Sequence, residues 1–306
     1  MNLIDISKFS EEQAREWFEG IRWPNGPVCP HCGSVEALKL QGKTVRAGLY
    51  KCQGCEVQFT ATINTILEDS HLPIRTWLMA FAILCSSKKG VSALQLQRQL
   101  GLGSYRTAWH LCHRIRHAMS KEPLASLLGA GGGIVEVDET YVGGKPRKGS
   151  GKPTKLGRAT EKTPVVALIE RGGRARTKII AKPTKENLQE AIREMVDPSA
   201  AIHTDEWRSY YGIGKHFAGG HHTVKHAQGE YARQGVHVNS AEGFFALLKR
   251  GIVGSFHHIS VKHMPRYLTE FSFRWDHRGM TDGERTIEAI KSSEGKRLMY
   301  RIPVGK

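Results

Sequence analysis

Four of the six cysteines form two pairs, Cys29-Pro30-His31-Cys32 and Cys52-Gln53-Gly54-Cys55, separated by residues 33–51. Two cysteines three positions apart, with a small residue beside them, allow a tight turn that aims both sulfurs and nearby backbone N–H groups at one ion. Gly33 follows the first pair and Gly54 lies inside the second. Four thiolates close a zinc tetrahedron and leave no open position for a substrate, so this site is expected to be structural. The competing arrangement is two disulfides, which a reducing compartment disfavours. His31 is a substitute ligand by chemistry and a loop residue by position. Cys85 and Cys112 fall in helical patterns far from any partner pair and read as core residues.

Acids are outnumbered, 29 Asp+Glu against 45 Lys+Arg, so those inside apolar strands are informative. Asp138 sits in Ile134-Val135-Glu136-Val137-Asp138-Glu139-Thr140, where strand alternation puts Glu136, Asp138 and Thr140 on one face. Asp205 closes Ala201-Ile202-His203-Thr204-Asp205, a buried strand at the C-terminal edge where ligands commonly bind in α/β sheets. Glu242 stands near the start of a helix opening at Asn239, and Lys249 follows seven residues later, two turns on along the same face. Three converging carboxylates repel one another unless cations hold them, and Mg²⁺ or Mn²⁺ prefers such oxygen ligands. Two such ions activate a water or a 3′-hydroxyl and stabilise the leaving oxygen of a phosphodiester. Each acid also has a plain structural role open to it. Asp138 can bond the backbone of the neighbouring loop, Asp205 can cap the turn into Trp207, and Asn239 with Glu242 matches a capping box.

The composition narrows the class. The formal net charge is +16, the isoelectric point about 9.7 and the mean hydropathy −0.39, as in a soluble globular protein. The length allows one full core and a smaller module or two. The longest apolar run, Trp77 to Cys85, is nine residues, too short to span a bilayer. Asp5, Glu11, Glu12 and Glu16 replace the basic and apolar regions of a signal peptide, so the chain is expected in the cytoplasm, with no membrane partner. There, a large positive surplus points to nucleic acid.

The elements that must position these groups follow from periodicity. Residues 1–20 read as a short amphipathic helix and residues 21–62 as the zinc-binding module, whose second half has strand composition. Residues 73–121 are helical. A break at Gly101-Leu102-Gly103, with the next helix starting near Ser104, resembles a helix-turn-helix, and Arg106 and Arg114 lie on the helix expected to face DNA. After Gly131-Gly132-Gly133 the pattern turns to strands: Ile134–Val142, Pro164–Glu170 and Thr177–Ala181, then a helix over Lys185–Val196, a strand at Ala200–Thr204 and another near His222–His226. Helices over Asn239–Lys249 and Val261–Trp275 follow, and the tail from Arg278 is weakly patterned. This order implies a mixed sheet with helices against it. Between the first two strands, Gly143–Lys162 carries Lys145, Arg147, Lys148, Lys152, Lys155, Arg158 and Lys162 against one acid, a loop suited to a polyanion.

These residues carry a resemblance. Cys29-Pro30-His31-Cys32-Gly33, the string Val135 to Lys145 (Val-Glu-Val-Asp-Glu-Thr-Tyr-Val-Gly-Gly-Lys), His203-Thr204-Asp205, Val238 to Glu242 with Leu247 to Gly251, and Tyr267 to Arg278 together resemble a DDE-type transposase of bacterial insertion sequences. The similar group is the one with an N-terminal zinc ribbon, the insertion sequence 1595 family (ISXO-type), over about residues 10–278. The resemblance implies a ribonuclease-H-like core, two divalent metals and DNA strand transfer. It carries Asp138 and Asp205 over as the first two carboxylates. Glu242, after a usual spacing of 36 residues, is the third, with Asn239 as the alternative ligand.

The expected organisation is residues 1–62 as N-terminal helix and zinc ribbon, 63–130 as the helix-turn-helix-like segment, 131–280 as the catalytic core and 281–306 as a tail. Lys249, the Gly143–Lys162 loop, Arg106 and Arg114 are expected on DNA. The expected partners are the inverted repeats of the element, target DNA and further copies of the chain in a synaptic complex. The expected location is the bacterial cytoplasm, at the nucleoid. Two rivals remain at this point: a DNA-binding regulator without catalysis, and a metal nuclease of the same fold that cuts without joining.

Overall fold

Alternation of buried and exposed residues decides where each strand faces. The computed structural model describes residues 2–120, 126–143, 162–225, 228–230 and 232–300. The chain divides into two compact units, Met1–Ser120 with His277–Lys306 in one and Lys121–Asp276 in the other.

The first unit begins with two helices, α1 (Leu3–Ser7) and α2 (Glu11–Arg22), where the sequence suggests one. Ser10 makes the break: its hydroxyl accepts the Gln13 N–H at 3.1 Å and the Gln13 side chain accepts the Ser10 N–H at 2.8 Å, a capping box that starts α2 afresh. Strands β1 (Ala37–Lys39), β2 (Tyr50–Cys52) and β3 (Gln58–Phe59) form a small antiparallel sheet, in which β1 is an addition to the strands expected. Trp23 packs edge-on against Tyr50 and Phe59, with ring centroids 5.6 and 5.8 Å away. The Tyr50 hydroxyl donates to Glu19 at 2.8 Å and ties α2 to this sheet.

Helix α3 (Ile74–Ser86) is buried along Trp77, Leu78, Phe81 and Leu84. Helices α4 (Ala93–Leu100) and α5 (Tyr105–Ala118) meet at Gly101, whose φ of 63° ends α4 in the left-handed conformation that glycine tolerates. Ser92 and Ser104 cap the two helices through the N–H groups of Gln95 and Thr107.

In the second unit, β4 (Ile134–Val142), β5 (Thr163–Glu170) and β6 (Ala175–Ile179) run antiparallel. After α6 (Lys185–Met195), β7 (Ala201–Asp205) and β8 (His221–Val224) add parallel to β4, giving the order β6-β5-β4-β7-β8. A short hairpin of β9 (Ala232–Arg233) and β10 (Val236–His237) leads into α7 (Asn239–Gly251), followed by α8 (Met264–Asp276). Val135, Val137, Val166, Leu168 and Ile202 pack with Leu188 and Ile192 of α6. Val165, Ala167 and Ile169 pack on the other face with Phe244 and Leu248 of α7 and Leu268 and Phe271 of α8. Glu136, Asp138 and Thr140 therefore share the α7–α8 face, as the alternation predicts. This mixed sheet, covered by helices on both faces, has the layout expected from the sequence. Gly129 enters it under tight constraint: at φ +73°, an added Cβ would meet Ala200 Cβ at 2.7 Å and Val135 Cγ2 at 2.8 Å.

The C-terminal segment is not a loose tail. Helix α9 (Asp282–Lys291) opens with a Thr281–Glu284 capping box and buries Thr286, Ala289 and Ile290 within the first unit. Its apolar stripe is only three residues wide and is broken by charge, so periodicity alone does not reveal it. No helix among the described residues is long and apolar enough to cross a membrane.

Candidate active site and zinc centre

The four paired cysteines converge. Their sulfurs all lie within 4.8 Å of one another. Cys29 and Cys55 are 3.7 Å apart and Cys32 and Cys52 3.5 Å apart, far beyond a disulfide bond of about 2.0 Å. A tetrahedral zinc with sulfurs at about 2.3 Å spaces them about 3.8 Å apart, so the cluster fits the ion. Each pair is a tight turn: Gly33 N–H donates to the Cys29 carbonyl at 2.9 Å, and Cys55 N–H points at Cys52 Sγ at 3.4 Å. That N–H pulls the Cys52 thiol down to about 6, whereas Cys55, against the pull of the Val57 N–H, is pushed up to about 12 by burial and by its neighbouring sulfurs, so one thiolate sits among protonated thiols until an ion displaces their protons. Cys85 and Cys112 are buried away from the cluster, as expected.

The acids come from three elements. Asp138 lies on β4, Asp205 ends β7, and Glu242 stands in the first turn of α7 with Lys249 on the same helix. The pairing of Glu136 with His203 across β4 and β7, continued by two residues, sets Asp138 beside Asp205. The Asp138 carboxyl is pushed up to about 7. Burial is the main cause, opposed by the Glu139 N–H, which donates to it at 2.8 Å. The charges of Asp205 and Glu242 raise it further and that of Lys249 lowers it. The other three sequence-predicted groups, Asp205, Glu242 and Lys249, therefore act on the half-buried Asp138 carboxyl. They are not drawn to a single point: among the described residues only the four cysteines bring all their ligand atoms within 4.8 Å. Asp205 also accepts the Trp207 N–H at 3.1 Å, so its turn-capping role and its place in the cluster coexist.

The capping box expected of Asn239 and Glu242 does not form. Asn239 is already the first helical residue, and Val238, which cannot cap, stands at the cap position without a side-chain bond. The helix start is instead held from β4, where the buried Glu136 accepts the Ser240 N–H at 2.7 Å. Sequence reasoning notes Glu136 only as a neighbour on the face of Asp138. Its partners come from distant parts of the chain, so no local signal marks its role. Tyr210 is also missed: fully buried, it donates to Glu139 at 2.6 Å on the opposite face of β4, with its phenol pushed well up by burial and by the Glu139 charge.

The predicted DNA contacts divide. Lys145, Arg147, Lys148, Lys155 and Arg158 lie outside the described residues. Lys249 and Arg106 are exposed. Arg114 is corrected: only 7% exposed, it lies 5.2 Å over the Trp77 ring and donates to the Glu68 carbonyl. Beyond its first turns, α5 is buried from Leu111 to Arg116, so its fully exposed residues, Tyr105 and Arg106, lie at its N-terminal end.

Comparison with known proteins places this geometry. Residues 130–276, which include the three acids, match the ISXO2-like transposase domain, and residues 9–58, which include the four cysteines, match the transposase zinc-ribbon domain. A protein of the archaeon Halobacterium salinarum, described as an uncharacterized protein in transposable element ISH50, is 28% identical over 285 residues, covering 89% of this chain and 93% of its own. Among solved structures, the Mos1 transposase paired-end complex with left transposon end is 13% identical, with a TM-score of 0.29 over 70% of this chain and 74% of that one. A pre-cleavage Mos1 transpososome is 14% identical, with a TM-score of 0.28 over 97% of each chain. The chain carries a transposase zinc ribbon of the insertion sequence 1595 group followed by an ISXO2-like, DDE-type transposase domain, and its activity class is DNA transposition.

Proposed function

We propose that Asp138, Asp205 and Glu242 hold two Mg²⁺ or Mn²⁺ ions and that the chain cuts and joins DNA at the ends of its own element. The observation that carries this reading is the placement of the half-buried Asp138 on β4, Asp205 at the end of β7 and Glu242 in the first turn of α7, where burial and the charges of the other two acids raise the Asp138 carboxyl to about 7. Such a cluster is suited to cations. Bound there, divalent ions supply Lewis-acid activation of the attacking water or 3′-hydroxyl and stabilise the leaving oxygen. Glu242 is favoured over Asn239 as third ligand because its charge acts on Asp138 and a carboxylate is the better ligand for a hard cation.

Lys249, exposed two turns beyond Glu242, holds a phosphate next to the reacting bond. The basic segment Gly143–Lys162 grips the DNA backbone. The zinc ribbon and the exposed start of α5 recognise the element's inverted repeats. Hydrolysis at each end exposes a 3′-hydroxyl, which attacks target DNA by in-line displacement. Pairing of two ends calls for at least two copies of the chain, acting in the cytoplasm at the nucleoid.

The test uses purified protein and a labelled duplex bearing the element's end, in Mg²⁺ or EDTA, with wild type and Asp205→Asn. Metal-dependent nicking and joining that vanish in the variant are expected. Nicking without joined product would indicate a nuclease. Binding without cleavage, unaffected by Asp205→Asn, would indicate a DNA-binding regulator.

A further inference from the structure

Two residues before each of the three acids lies a member of a second network. Glu136 precedes Asp138 on β4, His203 precedes Asp205 on β7, and Ser240 precedes Glu242 on α7. Glu136 is fully buried. Its Oε2 accepts the Ser240 N–H at 2.7 Å. Its Oε1 accepts the Ser240 hydroxyl at 3.1 Å and Arg171 Nε–H at 3.0 Å, and His237 Nδ1 lies 3.2 Å away. Arg171, in the turn after β5, uses the rest of its guanidinium on the same neighbourhood. Nη1 donates to the Gly235 carbonyl at 2.8 Å, and Nη2 donates to the His237 carbonyl at 3.3 Å and lies 3.3 Å from His203 Nδ1.

A buried carboxylate is costly unless it is paired and fully hydrogen-bonded, and removing one partner strands the rest. A carboxylate at a helix start also meets orphan N–H groups and the positive end of the helix dipole. Glu136 thus does, from a strand, what Val238 fails to do from the cap position. Sliding or rotating α7 on the sheet would break both Ser240 contacts to one buried charge. Stability alone does not require this arrangement, since apolar packing of similar volume is often as stable as a buried ion pair. Fixing one register is the better-attested use of such groups.

We propose that Glu136 and Arg171 form a clamp that fixes the start of α7 against β4 and β7, sets the spacing of Asp138, Asp205 and Glu242, and so tunes the affinity of the site for divalent metal. This rests on the reading of those three acids as metal ligands. Glu136 and Arg171 act through the carboxylates and are positioning residues. Outer partners of this kind change metal affinity about 10- to 100-fold when altered.

The experiment titrates zinc-loaded, full-length protein with Mn²⁺ and reads free Mn²⁺ by electron paramagnetic resonance. Asp138→Asn is expected to abolish saturable binding, and Glu136→Gln to raise the dissociation constant about tenfold while the protein still melts cooperatively. Arg171→Lys keeps the charge but loses the fork and is expected to fall between. Glu194→Gln, in the surface pair with Lys178, is the control and is expected to match wild type. Equal Mn²⁺ affinity in wild type and Glu136→Gln, with binding lost in Asp138→Asn, overturns the clamp alone. Unchanged binding in Asp138→Asn overturns the ligand assignment and the clamp with it. If Glu136→Gln does not fold, Ser240→Ala and Arg171→Lys carry the same comparison with the same outcomes.

Discussion

The four cysteines are supplied by two short turns between residues 29 and 55, whereas the three acids come from two strands and a helix between residues 138 and 242. In the ribbon, each pair of ligands is set by its own turn, and the metal closes the module. In the catalytic core, no acid of the three is near another until the sheet has formed and α7 has docked on it. The first site is organised mainly by local backbone geometry and the ion. The second is organised by a fold that stands on its own apolar layers, Val135, Val137 and Leu188 on one side and Ile169, Phe244 and Phe271 on the other. The two regions should therefore respond differently to loss of metal.

Zinc removal is the strongest way to break this contrast. Binding of a structural zinc contributes about 10–16 kcal/mol in small zinc modules. A strong chelator, or Cys52→Ala, is expected to unfold the ribbon and abolish binding to the element's end. A calorimetric transition for residues 121–276 should persist, and its disappearance together with the ribbon would show that the two regions are not independent.

Next in size is the pair Arg114→Ala and Arg106→Ala. Arg114→Ala loses a hydrogen bond from a buried charge and a ring contact, and should destabilise the first unit by about 2–3 kcal/mol in urea melts. Arg106→Ala should leave stability within about 0.5 kcal/mol and lower the salt slope of DNA binding by about one. Tyr50→Phe removes the donor to the buried Glu19 and is expected to cost about 2 kcal/mol, read as a lower midpoint for the unit that holds the ribbon.

The smallest effect concerns pH and belongs to the core. Burial, then the charge of His222, lowers His221 to about 4, with its Nε2 2.8 Å from the Thr204 hydroxyl. An unfolded histidine titrates near 6.5, so the unfolded chain binds the extra proton first as pH falls. The stability from neutral His221 is complete above about 6.5 and is lost as pH falls through 4. His221→Gln should flatten the decline in melting temperature across that window, and an unchanged slope would remove His221 as its source.

The contrast between local and distributed sites also governs what the sequence discloses. The cysteine pairs are legible because their spacing is their geometry. The face shared by Glu136, Asp138 and Thr140 is legible because strand alternation has a fixed period. Arg114 is misread because a basic residue on an amphipathic helix looks the same whether it faces DNA or folds back over Trp77. The Asn239–Glu242 box is misread because cap preference is a local tendency, and here a carboxylate from β4 takes the helix N–H instead. Arg171 carries no local signal, since its partners at 136, 203, 235 and 237 are brought together only by the fold.

The chain leaves the first unit after Ser120 and returns to it at His277, where α9 settles with Arg285 donating to the Cys85 carbonyl at 2.9 Å and Arg22 pairing with Glu294 at 3.3 Å. In genetic terms, a stop codon just after Asp276 spares all three acids and every strand of the catalytic sheet. The damage falls instead on the unit encoded at the opposite end of the gene. On the function proposed above, a copy of the element truncated there should make a protein that keeps its cutting centre and loses its grip on its own ends.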